Sequence, residues 1–246
     1  MHKLPFVFPT LPEQQKIAAF LTAVDEKIQQ LAKKKNSLEQ YKKGVMQKIF
    51  NQEIRFKDEN GNDFADWEEK KENEVFDSIS NKNHNSDLPI LAITQEFGAI
   101  PRHLIDYQIS VTEKSVESYK VVEVGDFIIS LRSFQGGIEY SNYKGICSPA
   151  YIILRSKVSI NNLFYKHYLK TDFYIQKMNA KLEGIRDGKM VSYKYFSEID
   201  LPFPSLEEQN KIVDFFSAMD KKINSVNQQL VKTKEYKKGL LQQMFV

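Results

Sequence analysis

Apolar residues recur every three or four positions over two long stretches of the chain, one at each end. In the first, Ile17, Phe20, Leu21, Val24, Ile28 and Leu31 share one side of a helical wheel; in the second, Ile212, Phe215, Phe216, Met219, Ile223 and Val226 do the same. Both stripes then narrow, to Leu38, Tyr41, Val45 and Ile49 and to Leu230, Tyr236, Leu240 and Met244. Thr10 and Ser205 stand at the entries with Glu13 and Glu208 three residues on, the spacing of a capping box. Pro12 is compatible with a first helical turn, and no proline follows it before Phe50. Each stretch therefore predicts one helix of about 38 residues, roughly 57 Å long at 1.5 Å per residue. A narrow apolar stripe on a charged helix needs a partner helix. Two arrangements satisfy it: the helices pair as an antiparallel coiled coil through Ile28, Leu31, Leu38, Tyr41, Val45, Ile223, Val226, Leu230, Tyr236 and Leu240, or each lies separately on one core.

The two stretches are copies of each other. Residues Phe8 to Phe50 align without a gap onto Phe203 to Phe245 at a constant offset of 195, and Glu13-Gln14, Lys16-Ile17, Asp25 and Tyr41-Lys42-Lys43-Gly44 all recur. An ungapped match of this length is an internal repeat. The chain thus divides into a helical region at 1–50, a unique domain at 51–203 and a second helical region at 204–246. Gly44 and Gly239 sit late in the helices, where glycine either weakens the helix or permits close approach.

Between the repeats the pattern changes to short runs rich in Val, Ile and Tyr, bounded by Gly, Asn, Ser or Pro. Strands are predicted at Ile90 to Thr94, Lys120 to Val124, Asp126 to Leu131 and Tyr151 to Leu154. Asn161 to Lys170, continuing towards Asn179, reads as helical, with Leu163, Phe164, Tyr168 and Leu169 inward. The class is mixed α/β (α+β), with a curved or barrel-like sheet. Trp67, the one tryptophan, is read as a packing anchor.

Charge adds a footprint. The net charge is only +3, but Arg132 to Lys194 is strongly basic while acids dominate from Glu53 to Asp77. A basic stretch beside an acidic one fits a nucleic-acid-facing side, or a solvated surface with uneven charge. Arg132, Ser133 and Gln135, beside Gly136-Gly137, have the chemistry to reach base edges, since Arg suits guanine and Gln suits adenine. Lys144, Arg186, Lys189 and Lys194 are candidate phosphate ligands, and Tyr193, Thr94 and Gln95 further candidate contacts. Catalysis finds little support. The four histidines and Cys147 have no metal-ligand spacing. There is no phosphate-binding glycine loop, and no cofactor is expected. A single cysteine and the lack of any long apolar run suggest a cytoplasmic protein.

The paired regions, Pro9-Thr10-Leu11-Pro12-Glu13-Gln14-Gln15-Lys16-Ile17 and Pro204-Ser205-Leu206-Glu207-Glu208-Gln209-Asn210-Lys211-Ile212, each followed by a helix ending in Tyr-Lys-Lys-Gly, resemble the conserved regions of type I restriction-modification specificity subunits. Trp67-Glu68-Glu69-Lys70-Lys71, Gly125-Asp126 and Ser148-Pro149-Ala150-Tyr151 are similar to parts of that family's target-recognition domain. The resemblance implies a non-catalytic subunit that reads a half-site in double-stranded DNA. Its helices would serve as spacer and as docking surface for methyltransferase subunits, and through them restriction subunits. Full-length members resemble two recognition domains, each followed by a conserved helix; here the order is helix, recognition domain, helix. A half-subunit that forms a homodimer and a truncated assembly scaffold without independent target reading are therefore both alternatives.

Overall fold

The structure is a computed structural model, and it describes residues 9–85, 87–105, 116–130, 138–182 and 193–244. The chain forms two compact units, one made of residues up to 48 and from 214 onwards, the other of residues 49–213.

The first unit consists of most of α1, Leu11–Phe50, and most of the last helix, Leu206–Met244. At 40 and 39 residues they run about 60 Å each. They lie antiparallel against each other. Leu31, Val226 and Leu230 are buried together, with Ile28 and Leu38 packed on them; Ile223 is buried, and Val45 and Leu240 are half-buried. Two ion pairs flank this seam, Lys42 Nζ to Asp220 Oδ1 at 2.6 Å and Lys237 Nζ to Asp25 Oδ1 at 2.5 Å. Under the offset of 195 each pair is the image of the other. Such reciprocity is the mark of a two-fold contact, so the internal repeat has become a pseudo-two-fold axis between the helices. Tyr41 and Tyr236 depart from the expected stripe: they are 58% and 55% exposed. The next residues, Lys42 and Lys237, turn to the partner's aspartates instead. One residue is 100° of helix rotation, so facing the lysine inward swings the tyrosine out.

Among the described residues, a Cβ built on Gly44 or Gly239 meets nothing within 4 Å. Close approach is therefore not what these glycines serve, and only their cost to the helix remains. Gly44→Ala and Gly239→Ala are each expected to raise stability by roughly 0.8–1 kcal/mol, read as a rise in the thermal midpoint of each single variant and nearly additive in the double.

Among its described residues the second unit carries ten short strands. A four-stranded antiparallel sheet has the order β2 (Phe76–Ile79), β9 (Tyr151–Ser156), β6 (Phe127–Ser130), β7 (Ile138–Tyr140). Three two-stranded sheets pair β1 (Glu68–Lys71) with β10 (Asp200–Phe203), β3 (Leu91–Thr94) with β4 (Gly98–Pro101), and β5 (Lys120–Val122) with β8 (Gly145–Cys147). The sheets are open, so the barrel-like alternative does not hold. Phe127-Ile128-Ile129 are all fully buried, as an unbroken apolar run in an inner strand must be. Leu91, Ala99, Val122, Ile128, Cys147 and Ile153 form one core cluster, and Val116, Tyr119, Val121 and Ile146 another.

The turn into β6 is held by a buried carboxylate. Gly125 has φ +97 and supplies the left-handed bend. Asp126, 1% exposed, accepts two bonds from Arg155, at 2.8 and 2.7 Å, and one from the Glu123 amide at 2.8 Å. The helix expected from Asn161 is two helices, α3 (Asn162–Tyr168) and α4 (Asp172–Leu182). Asn161 caps the first by accepting from Leu163 N, and Thr171 Oγ1 accepts from Tyr174 N to restart the second. The described residues also form two short α-helices, α2 (Glu72–Val75) and α5 (Tyr193–Ser197), and a 3-10 turn at Arg102–Leu104; the last long helix is then α6.

Candidate nucleic-acid interface

The second unit is organised from the start of α6. Ser205 Oγ accepts from Glu208 N at 3.2 Å, one half of the expected capping box. The other half is absent, because the Glu208 carboxylate turns away. It accepts from Arg55 Nε and Nη2 at 3.2 and 3.0 Å and from the Trp67 indole at 2.8 Å, with its side chain 1% exposed. Trp67 is also edge-on to Phe164, so the expected anchor is polar as well as apolar. Gln209 Oε1 accepts the Asn161 amide at 2.8 Å, tying the entry of α3 to the same helix start. Sequence reasoning missed Glu208 and Gln209 as anchors. Their recurrence in both repeats was visible, but a capping role explained the glutamate without a buried partner.

Of the candidate contact residues, Arg132, Ser133, Gln135, Arg186 and Lys189 lie outside the described residues. The others fall on two separate sets of elements. Thr94 and Gln95 sit on the β3–β4 turn, where Thr94 Oγ1 is engaged in the turn itself, accepting from Phe97 N at 3.0 Å. Gly98 closes this turn with φ +71, its missing Cβ leaving room for Tyr140 O. That contact, with the Ala99–Ser141 bridge, brings the turn beside the one carrying Lys144. Lys144 pairs with Glu123 at 2.9 Å and is half exposed. The same neighbourhood exposes Phe97, Val124 and Tyr143, which sequence reasoning did not single out.

Tyr193 and Lys194 open α5, a separate element. Tyr193 is half-buried and its hydroxyl is pushed up to about 12, first by burial and then by the nearby Glu72 and Asp77 carboxylates. Lys194 is exposed. In the same part of the unit Glu72 is fully buried: its amide donates to Ile199 O at 2.9 Å, Tyr174 Oη donates to its Oε2 at 3.4 Å, and its Oε1 has no partner among the described residues. Burial pushes this carboxyl up to about 8, so it is largely neutral at pH 7. Among the described residues no three His, Cys, Asp or Glu side chains could hold a metal ion. Cys147 is buried and its thiol is pushed up to about 12. No described helix is long and apolar enough to cross a membrane.

The profile of the family described as the type I restriction modification DNA specificity domain matches residues 64–234. The chain belongs to this family. Among its relatives from Methanocaldococcus jannaschii, a protein named for a type I restriction enzyme, the MjaX specificity subunit, is 29% identical over 97% of this chain and 57% of its own length. The type I restriction enzyme MjaVIII specificity subunit of the same organism is 30% identical over 56% of this chain and 31% of its own. The HsdS subunit of Thermoanaerobacter tengcongensis matches in fold with a TM-score of 0.56 at 20% identity, over 97% of this chain and 59% of its own. The S subunit of a type I restriction-modification system from M. genitalium matches at 0.59 and 18%, over 96% and 62%. The chain therefore spans somewhat more than half the length of the MjaX and HsdS relatives. The specificity-domain match covers the whole described recognition unit from Phe64 on and most of α6.

Proposed function

We propose that this chain is a non-catalytic specificity subunit that reads one half-site in double-stranded DNA and docks methyltransferase subunits, and through them restriction subunits. The observation that carries this reading is the family match, which takes in both the recognition unit and the helix it is anchored on. The antiparallel helix pair, locked in register by its two reciprocal ion pairs, is a strut of defined length, as a spacer requires. Arg132, Ser133, Gln135, Thr94 and Gln95 are assigned to base edges, and Lys144, Arg186, Lys189 and Lys194 to phosphates, with Tyr193 alongside. Lys144 would leave Glu123 to do so, at small cost because an exposed pair is worth at most about 1 kcal/mol. Two chains related by a two-fold axis would read a symmetric site. Chemistry on the DNA belongs to the partner subunits, and the setting is the cytoplasm.

Duplex binding by the full chain tests the assignment. Arg186→Ala with Lys189→Ala is expected to weaken binding to all sequences alike and to flatten the slope of log K against log salt by roughly 1 to 2. An unchanged affinity and slope would remove both residues from the interface. If the full chain shows no preference among duplexes even with modification subunits bound, the assembly-scaffold reading takes its place.

A further inference from the structure

The chain's charge is divided unevenly between its two units. The helix pair, residues up to 48 and from 214 onwards, holds fifteen lysines against seven acids. Residues 49–213 hold twenty basic residues against twenty-five acids. The unit with the candidate base contacts is thus acidic on balance, and the excess of positive charge lies on the helices.

The helical lysines are also sorted by side. Lys27 and Lys34 stand seven residues apart, each just before a half-buried seam position, Ile28 or Lys35, and Tyr41 continues the series before half-buried Lys42. Seven residues are two turns, so the three share one flank of α1. Their images in α6 are Lys222, Gln229 and Tyr236. A two-fold axis between antiparallel helices runs perpendicular to the plane of the pair, so a flank and its image lie on the same side. Lys232, three residues beyond Gln229, adds to that side. Asp25, Glu39 and Asp220 each precede a member of the series by two residues, or 200° of rotation, and fall on the other flank. Glu26 and Glu235 lie on the outer backs of their helices. No acid between Phe20 and Lys48 or between Phe215 and Gln243 shares the lysine flank.

Lys27, Lys34, Lys222 and Lys232 are exposed, and none has an acidic partner among the described residues. The register, in which Asp25 meets Lys237 and Lys42 meets Asp220, orders them along the pair as Lys27, Lys232, Lys34 and Lys222. They span about 20 Å, with exposed Tyr236 and Tyr41 at the two ends. A duplex presents a phosphate about every 3.4 Å along each strand, so the row matches roughly six of them.

We propose that this lysine row grips double-stranded DNA by its phosphates, without regard to sequence. The occupant is a polyanion because the row offers unpaired cations in a line and no acid for the basic residues of a protein to meet. The inference rests on the half-site reading for its duplex, but not for any choice of sequence.

Binding of the full chain to a pool of random-sequence duplexes is measured across a range of salt concentrations for three proteins. The first is the parent. The second combines Lys27→Gln, Lys34→Gln, Lys222→Gln and Lys232→Gln. The third combines Lys33→Gln, Lys221→Gln, Lys234→Gln and Lys238→Gln, which removes the same charge from exposed positions on the backs and the other flank. Glutamine and lysine have similar helix propensities, so both variants are expected to keep the parent's helicity. The row variant is expected to flatten the slope of log K against log salt by about 3, and the other variant by less than about 1. Sequence preference, read by selection from the same pool, is expected to persist in the row variant. Equal flattening by the two variants would overturn the proposal, as would a parent that binds no duplex. So would a row variant with an unchanged slope that no longer captures the modification subunit, which would make the row a protein surface. A parent whose slope depends on the row but which selects no sequence would sink the half-site reading and leave the row standing.

Discussion

Glu208→Ala is expected to destabilise the protein by about 2 kcal/mol, the cost of removing the buried acceptor of the Trp67 indole and of Arg55, which keeps Asp66 and the Ala65 carbonyl. Its repeat image gives the control. Glu13→Ala removes the same side chain from the same helical position but from an exposed site without a partner among the described residues, and is expected to change stability by less than about 0.5 kcal/mol. Urea unfolding of the two variants measures the difference. Glu208→Gln should fall between them, because a carboxamide oxygen can still accept from Trp67 while the charge pairing with Arg55 is gone. Equal effects at positions 13 and 208 would mean that the bonds of Glu208 to Arg55 and Trp67 add nothing to stability.

Glu72→Gln is expected to be stabilising, and increasingly so as pH rises. Burial raises the Glu72 carboxyl to about 8 in the folded chain, against an ordinary value near 4.5. Between those values the folded chain holds a proton that the unfolded chain has lost, so stability falls as pH rises across that window and levels off above about 8. The burden is on the order of a few kcal/mol at its upper end. Glutamine keeps the shape, is neutral at every pH and can still hydrogen-bond to Tyr174. Unfolding free energies of the variant should match those of the parent near pH 4.5 and exceed them at pH 8. Parallel curves for the two proteins would show that Glu72 carries no such linkage.

These two carboxylates also mark where the sequence could and could not be read. The long helices and their pairing were legible because periodicity and repetition are local signals, and the reciprocal Asp25–Lys237 and Lys42–Asp220 bonds express that repeat directly. The face of each helix was legible only to within a residue. Tyr41 and Tyr236 fit the apolar stripe by spacing, but the adjacent lysines have partners that only the assembled pair provides. Four strand segments were visible as Val- and Ile-rich runs. β1, with Glu68-Glu69-Lys70-Lys71, was not, because it pairs with β10 across more than a hundred residues and its side chains are largely exposed. Glu72 follows directly in that charged run, and nothing in Glu-Glu-Lys-Lys-Glu-Asn-Glu says which glutamate is buried. The break at Thr171 was hidden because Leu169-Lys170-Thr171-Asp172 carries neither glycine nor proline, and a threonine cap is visible only once its bonds are seen. Of the candidate interface, sequence reasoning named residues on separate turns; that the Thr94 turn lies beside the Lys144 turn follows from the Gly98–Tyr140 approach, a tertiary contact.

The central claim is that the recognition unit directs a partner's chemistry to chosen DNA sites. Co-expression of the full chain with its cognate modification subunit, followed by mapping of methylated adenines across the host DNA, tests it most directly. The expected result is new methylation confined to one recurring sequence, lost when the chain is omitted and altered by substitutions at Arg132 or Gln135. A stable complex of the two proteins that adds no methylation, or the same methylation with the chain omitted, would contradict it.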